Sequence, residues 1–218
     1  MSKLKTGVTL AAAGMLGAAA WWRRHPSACP YGQRFWVEAP HPFITRDRLL
    51  GALAPALGET ILEVGPGTGY YTLAIARALT PGGTLHIADL QREMLDHTMA
   101  RAREAGVDNI EPREADARRL PYADASFDAA FLVAVLGEIP DQDGALRELR
   151  RVLRPGGRLV VGELFGDPHM VTERALRRRA TAAGLRFERR VGPPFGYFGI
   201  ARRPLRAGAE APAATPSP

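Results

Sequence analysis

Ile61-Leu62-Glu63-Val64-Gly65-Pro66-Gly67-Thr68-Gly69-Tyr70 is the stretch that decides the fold. It opens on a short apolar run, Thr60–Val64, of the kind found in a strand buried on both faces. Three glycines at alternate positions follow. Apolar residues at helical spacing come next: Leu73, Ile75, Ala76 and Leu79. Glycines at such a junction let the chain turn sharply and let backbone N–H groups approach a ligand closely. The plainer alternative is a tight strand-to-helix turn with no guest. The spacing is G-x-G-x-G. A dinucleotide fingerprint would read G-x-G-x-x-G, and a P-loop would need G-K-[ST], so neither is present.

The same alternation continues downstream. Pro81-Gly82-Gly83 stops the helix, and Thr84–Ala88 is a second strand ending at Asp89. A helix from Arg92 to Ala105 stops at Gly106, and a third strand, Ile110–Ala115, ends near Asp116. Phe127–Val135 is a strongly apolar fourth strand. A helix from Asp143 to Leu153 halts at Pro155-Gly156-Gly157, before a fifth strand at Arg158–Leu164. A helix from Val171 to Ala183 ends at Gly184. Leu185–Val191 and Phe195–Arg202 then read as a terminal antiparallel hairpin. Upstream, Leu49, Leu50, Leu53 and Leu57 predict a helix over Arg46–Leu57. Strands alternating with helices make an α/β, doubly wound sheet. Its ligand site belongs outside the carboxyl ends of the strands. Asp89 lies about 20 residues past the last glycine, where a carboxylate accepts hydrogen bonds from ribose hydroxyls. Capping the next helix is its alternative role. Asp116 can meet an adenine amino group in the same way.

With these residues in place, the chain resembles the class I S-adenosylmethionine-dependent methyltransferases, in the branch of the ubiquinone/menaquinone C-methyltransferases. The likeness rests on Glu63–Gly69, Ala88-Asp89-Leu90 with Met94-Leu95, and Asp116-Ala117 with Leu120-Pro121. Ser126-Phe127-Asp128 and Leu149–Gly157 extend it. The resemblance implies a Rossmann-like, seven-stranded sheet with its last strand antiparallel. It also implies S-adenosyl-L-methionine as cofactor. Gly65, Gly67 and Gly69 would line the methionine moiety, with Glu63 near its ammonium group. Asp89 would hold the ribose, Leu90 would flank the adenine, and Asp116 and Ala117 would contact its amine and ring nitrogen. Val133 would face the cofactor. A general base, where the acceptor requires one, must follow the fourth or fifth strand. The candidates there are Glu138, Glu163 and His169, each with a water-exposed loop position as its alternative.

Composition narrows the acceptor. The 218 residues are 46% hydrophobic and 24% charged, which excludes bulk disorder and a polytopic membrane protein. One cysteine, Cys29, excludes an internal disulfide, and His41, His86, His97 and His169 have no metal-ligand spacing. The net charge of +6 comes from arginines spread along the chain, with only Lys3 and Lys5 as lysines. No aromatic-interleaved basic stripe and no Asn-Pro-Pro-Tyr-type signature accompany it, which argues against nucleic acid. The uncharged run Thr6–Trp22 stands between Lys3, Lys5 and Arg23-Arg24. As a helix it would reach about 26 Å, just short of a bilayer core of about 30 Å. Trp21 and Trp22 suit the membrane interface. A membrane anchor, a signal peptide and a plain alanine-rich helix all fit. The cytoplasmic cofactor speaks against the signal peptide, so cytoplasmic placement with anchoring at the inner membrane face is the expectation. The organisation expected is therefore an apolar segment at 1–25, a connector and helix at 26–57, the catalytic domain at 58–206 and a disordered tail at 207–218. With Tyr31, Phe35 and Trp36 in the connector, the acceptor expected is a small or lipid-soluble molecule such as a quinone or phospholipid. A catalytically silent cofactor-binding module is the alternative class. A methyltransferase acting on nucleic acid is a further one.

Overall fold

In the computed structural model, residues 26–33 and 43–205 are described. The predicted segment at 6–22, Phe35 and Trp36 of the connector, and the tail at 207–218 all lie outside them. Seven strands form one sheet in the order β3-β2-β1-β4-β5-β7-β6. They are β1 (Thr60–Val64), β2 (Thr84–Asp89), β3 (Ile110–Glu114), β4 (Phe127–Val133), β5 (Leu153–Leu164), β6 (Arg186–Val191) and β7 (Gly196–Arg202). The first five run parallel, and β7 is antiparallel to both β5 and β6. The helices are α1 (Arg46–Leu53), α2 (Thr72–Ala78), α3 (Arg92–Glu104), α4 (Gln142–Val152) and α5 (Glu173–Ala182).

Side chains alternate across a strand, so neighbouring apolar residues feed opposite layers. Ile61, Phe131 and Val160 face the layer built with Leu49, Leu53, Ile75, Leu79 and Leu95 of α1 to α3. Leu62, Leu132 and Val161 face the layer built with Leu146, Leu149, Val152 and Leu176 of α4 and α5. Continuous apolar runs in the central strands are what burial on both faces requires. The edges are polar, which blunts pairing with other chains. β3 carries Pro112 and is exposed over its last four residues, and β6 reads Arg-Phe-Glu-Arg-Arg-Val.

Two boundaries differ from the sequence expectation by more than two residues. The first helix ends at Leu53 rather than Leu57. Ala54 adopts the left-handed conformation (φ 45°) and its N–H closes on Leu50 O, so Leu57 falls outside the helix and is exposed. The fifth strand begins at Leu153 rather than Arg158. Phe127 pairs with Leu153 and Ala129 with Arg158, so an irregularity absorbs Pro155-Gly156-Gly157 without ending the ladder. No helix among the described residues is long and apolar enough to cross a membrane.

Strand order reverses between β1 and β4. Crossovers from β1 run one way to β2, and those from β4 run the other way to β5, leaving a crevice at their carboxyl ends.

Candidate active site

The glycine loop floors this crevice. Gly65, Gly67 and Gly69 all have positive φ (69°, 55° and 80°), a conformation that side chains with a Cβ rarely tolerate. A Cβ at Gly65 would stand 2.5 Å from Val135 Cγ2, so the residue must be small as well as left-handed. Gly65 N–H donates to Ala88 O at 2.8 Å, tying the loop to β2. From α3, Thr98 Oγ1 donates to Gly67 O at 2.9 Å and Arg101 Nη1 to Thr68 O at 2.6 Å. The loop is thus held open by its neighbours.

Carboxylates surround it. Glu63, near the end of β1, is 2% exposed and accepts from Thr72 Oγ1 at 2.6 Å. Burial pushes its pKa up to about 8, against that hydrogen bond and with help from Asp89. Asp89, the last residue of β2, accepts from Gln91 N–H at 2.9 Å. Burial raises it too, opposed by the N–H groups of Gln91, Leu90 and Gly67. Leu90 stands exposed beside it, while Ala117 is buried and Val133 is half-buried at the end of β4. Asp116 behaves differently. Arg118 grips it with Nη2 at 2.6 Å and Nε at 3.0 Å, which holds its carboxyl below the usual range. A carboxylate has further lone pairs, so this pair does not exhaust its accepting capacity.

Opposite the loop lies a second acidic group. Glu138 ends a short 3-10 turn, Leu136–Glu138, just after β4. Burial pushes it up to about 7, against the hydrogen bond from Cys29 N–H and with repulsion from Asp167 and Asp89. Glu163 is fully buried in β5. Its Oε2 accepts from Val171 N–H at 2.9 Å, while Oε1 has no partner. Burial holds its pKa well above the usual carboxylate range. His169 is 9% exposed, with its backbone N–H on Asp167 Oδ1 at 2.8 Å. Gly137 packs directly against the His169 carbonyl, which fixes the two loops face to face. Glu138 and Glu163 therefore share one acidic cluster, and neither is a water-exposed loop residue. Asp167 joins them, although nothing in the sequence distinguished it from an ordinary turn aspartate.

Other participants were also illegible in the sequence. Residues 29–31 cross the crevice as a strap. Cys29 N–H donates to Glu138 Oε2 at 3.3 Å, and Gln91 Nε2 to Cys29 O at 2.9 Å. Tyr31 N–H reaches Gln91 Oε1 at 3.0 Å, and Tyr31 Oη meets His97 Nδ1 at 3.3 Å. Behind the loop, Arg46, Thr68, Tyr70, His97 and Arg101 line a cationic cavity of about 370 Å³. Thr68 Oγ1 is buried there without a hydrogen-bond partner. No cluster of three metal-ligating side chains occurs among the described residues.

This donor set fits S-adenosylmethionine. Glu63, Asp89 and Glu138 form no ion pair with a cationic side chain among the described residues. Once ionised, they could offer negative charge to an ammonium or a sulfonium. The left-handed glycines leave backbone exposed beside them, as close approach of a ligand demands.

Comparison with known proteins agrees. Residues 61–157 match the family described as "Methyltransferase domain". The ubiquinone/menaquinone biosynthesis C-methyltransferase UbiE of Hahella chejuensis is 38% identical over 119 residues, covering 54% of this chain and 48% of that protein. The methyltransferase GfsG of Streptomyces halstedii is 37% identical over 119 residues, covering 54% and 42%. The chain thus spans about half the length of the curated relatives it matches. Among solved structures, a SAM-dependent methyltransferase from Aquifex aeolicus superposes with a TM-score of 0.73 at 20% identity, covering 80% of this chain and 98% of its own. The [4+2]-cyclase SpnF superposes with a TM-score of 0.66 at 22% identity, covering 74% and 80%. Motifs, strand order and family match converge: residues 61–157 match the methyltransferase domain family, and the seven-stranded sheet around them superposes on a solved SAM-dependent methyltransferase.

Proposed function

We propose that the protein moves a methyl group from S-adenosylmethionine to a small, lipid-soluble acceptor, with Glu138 as the general base. The observation that carries this reading is the group Glu63, Asp89 and Glu138 around the glycine loop, none of which pairs with an arginine among the described residues. When bound, the cofactor supplies a methyl group already activated on sulfur, so the protein's task is mainly positioning.

The backbone at Gly65, Gly67 and Gly69 receives the methionine portion. The Glu63 carboxyl ionises beside its ammonium group. Asp89 accepts from the ribose hydroxyls. Leu90, Asp116 and Ala117 frame the adenine, and Val133 closes the crevice from β4. Glu138 stands across the crevice with a proton affinity matched to neutral pH, as a base for a hydroxyl or an acidic carbon should. Burial holds the Glu163 carboxyl well above the usual range, and it anchors the 167–171 loop through Val171. His169 holds that loop against Gly137 through its backbone, so its part is support rather than proton transfer.

The acceptor's lipid character draws on the apolar segment at 6–22 and on the likeness to a protein named for quinone biosynthesis. The test is a partition experiment. The full chain is incubated with methyl-labelled S-adenosylmethionine and a lysate of its source cell, and the products are extracted with organic solvent. Label in the organic phase that disappears with Asp89→Ala is the expected result. Label confined to protein or nucleic acid would refute the acceptor class. Intact cofactor binding with no label in any fraction would refute the enzymatic reading.

A further inference from the structure

Gln91 stands at the junction of β2 and α3, directly before the first residue of that helix. Such a position usually holds Ser, Thr, Asp or Asn, whose side chain accepts from a free N–H of the first turn. Gln91 has the extended backbone of a helix cap (φ −102°, ψ 112°), yet its side chain makes no capping bond. The whole amide is turned onto the strap instead. Nε2 donates to Cys29 O at 2.9 Å, and Oε1 accepts from Tyr31 N–H at 3.0 Å. An amide offers a donor and an acceptor side by side, so it pairs with the backbone around Pro30 much as a neighbouring strand would. Turning the amide over would set donor against donor and acceptor against acceptor, so one orientation alone fits. Neither side-chain bond serves α3, and the clamp is therefore separable from the fold of the helix.

The same residue touches the carboxylate proposed to hold the ribose. Gln91 N–H donates to Asp89 Oδ1 at 2.9 Å. On the opposite bank of the crevice, Glu138 Oε2 accepts from Cys29 N–H at 3.3 Å. Asp89 ends β2 and Glu138 follows β4, so the two banks lie on either side of β1 and its glycine loop. A backbone pinned to both banks crosses the space between them. The attachments are unequal: two shorter bonds at Gln91 against one longer bond at Glu138. Tyr31 Oη, on His97 Nδ1 further along α3, adds to the Gln91 side.

We infer that Gln91 is a positioning residue, which clamps Cys29–Tyr31 over the bound cofactor and sets how fast the cofactor leaves. This rests on the proposed seat of S-adenosylmethionine between Asp89 and Glu138. A ligand there lies beneath a chain fixed on both sides. Exchange requires that chain to lift, and the paired bonds at Gln91 are the larger part of what holds it down.

The test uses the full chain with Cys29→Ser, which keeps the backbone groups of the strap. A nitroxide is attached at Ser27→Cys, an exposed position beside the strap, or at Leu57→Cys as reference. Gln91→Glu keeps the size of the side chain and the backbone N–H on Asp89, but presents an oxygen to Cys29 O. Gln91→Ala removes both side-chain bonds. Paramagnetic resonance lineshapes are recorded without cofactor. Release of S-adenosylmethionine is followed by stopped flow, with excess S-adenosylhomocysteine as the displacing ligand. In both variants the label at 27 should gain mobility, the label at 57 should not, and release should quicken on the order of tenfold, as the loss of two neutral hydrogen bonds implies. A gain in mobility with release unchanged would overturn the inference, leaving a clamp without consequence for the cofactor. Faster release with mobility unchanged would overturn it in favour of an effect through Asp89. Mobility rising at both positions would mean a general loosening of the fold and would overturn a local clamp. No change in either readout would overturn it outright. Failure of the chain with Gln91 intact to bind the cofactor would refute the cofactor reading and the gate with it, while the lineshapes still report whether Gln91 holds the strap.

Discussion

Glu59 and Glu63 stand four residues apart, at the two ends of the same strand, and the fold treats them oppositely. At the amino end, Arg158 grips Glu59 with two nitrogens at 2.6 and 2.7 Å. Burial acts to raise the Glu59 carboxyl, and Arg158 with the Ala56 N–H outweighs it, so its pKa is lowered. Around it, Asp128 pairs with Arg154, and Arg151 joins Glu148 and Asp124. At the carboxyl end, Glu63 and Glu163 are buried and Asp89 and Glu138 half-buried; all four are pushed up and given no guanidinium among the described residues. The same residue types make scaffold at one end and an acidic binding surface at the other. Unpaired buried carboxyls cost stability, and such costs concentrate where a ligand later compensates them.

Mutating each end should separate stability from binding. Arg158→Ala removes the partner of Glu59 and two further donations, to the Leu53 and Ala54 carbonyls that end α1. The expected loss is about 3–5 kcal/mol of stability in urea unfolding, with cofactor affinity nearly unchanged in the folded fraction. A comparable loss of affinity would break the division between the ends.

Asp89→Ala should do the reverse. Loss of two charge-assisted hydrogen bonds at roughly 1.5 kcal/mol each weakens cofactor binding about 150-fold by calorimetry. The melting temperature should hold or rise, because a desolvated carboxylate has gone.

Glu138→Gln sharpens the assignment within the carboxyl end. Turnover should fall about 100-fold, the lower range for a lost general base. Wild-type kcat/KM should climb as Glu138 loses its proton near pH 7 and level off above, and the variant should lack that rise.

The smallest effect concerns Glu63. Its proton is held up to about pH 8 in the free protein, and an ammonium group beside it favours release. Cofactor affinity should therefore grow with pH toward about 8, by no more than about tenfold per pH unit. Proton release should appear in calorimetry across buffers of different ionisation heat. Stability runs the other way. Glu63 and Glu138 keep protons that the unfolded chain gives up near pH 4.5, so stability falls as pH rises from there through about 7 and 8. A flat profile across that window would show that these groups are not desolvated as described.

Much of this was written in the sequence. The alternation of apolar runs with helical spacing, punctuated by glycine and proline, determined the doubly wound sheet, because that pattern can be buried in only a few ways. The three glycines and the strand-end Asp89 marked the crevice at the carboxyl ends as the candidate site, because local backbone geometry restricts them to such a turn. Tertiary structure alone decided which acids go unpaired. The partners of Glu59 and Asp128 lie 99 and 26 residues away, and pairing by an arginine cannot be read from an arginine-rich sequence. It also decided that Asp116 is gripped by Arg118, that Asp167 joins Glu138 and Glu163, and that Cys29 to Tyr31 strap the crevice. Each of these depends on long-range contacts or on which of several nearby groups wins, and burial and distance settle that only once the chain has folded.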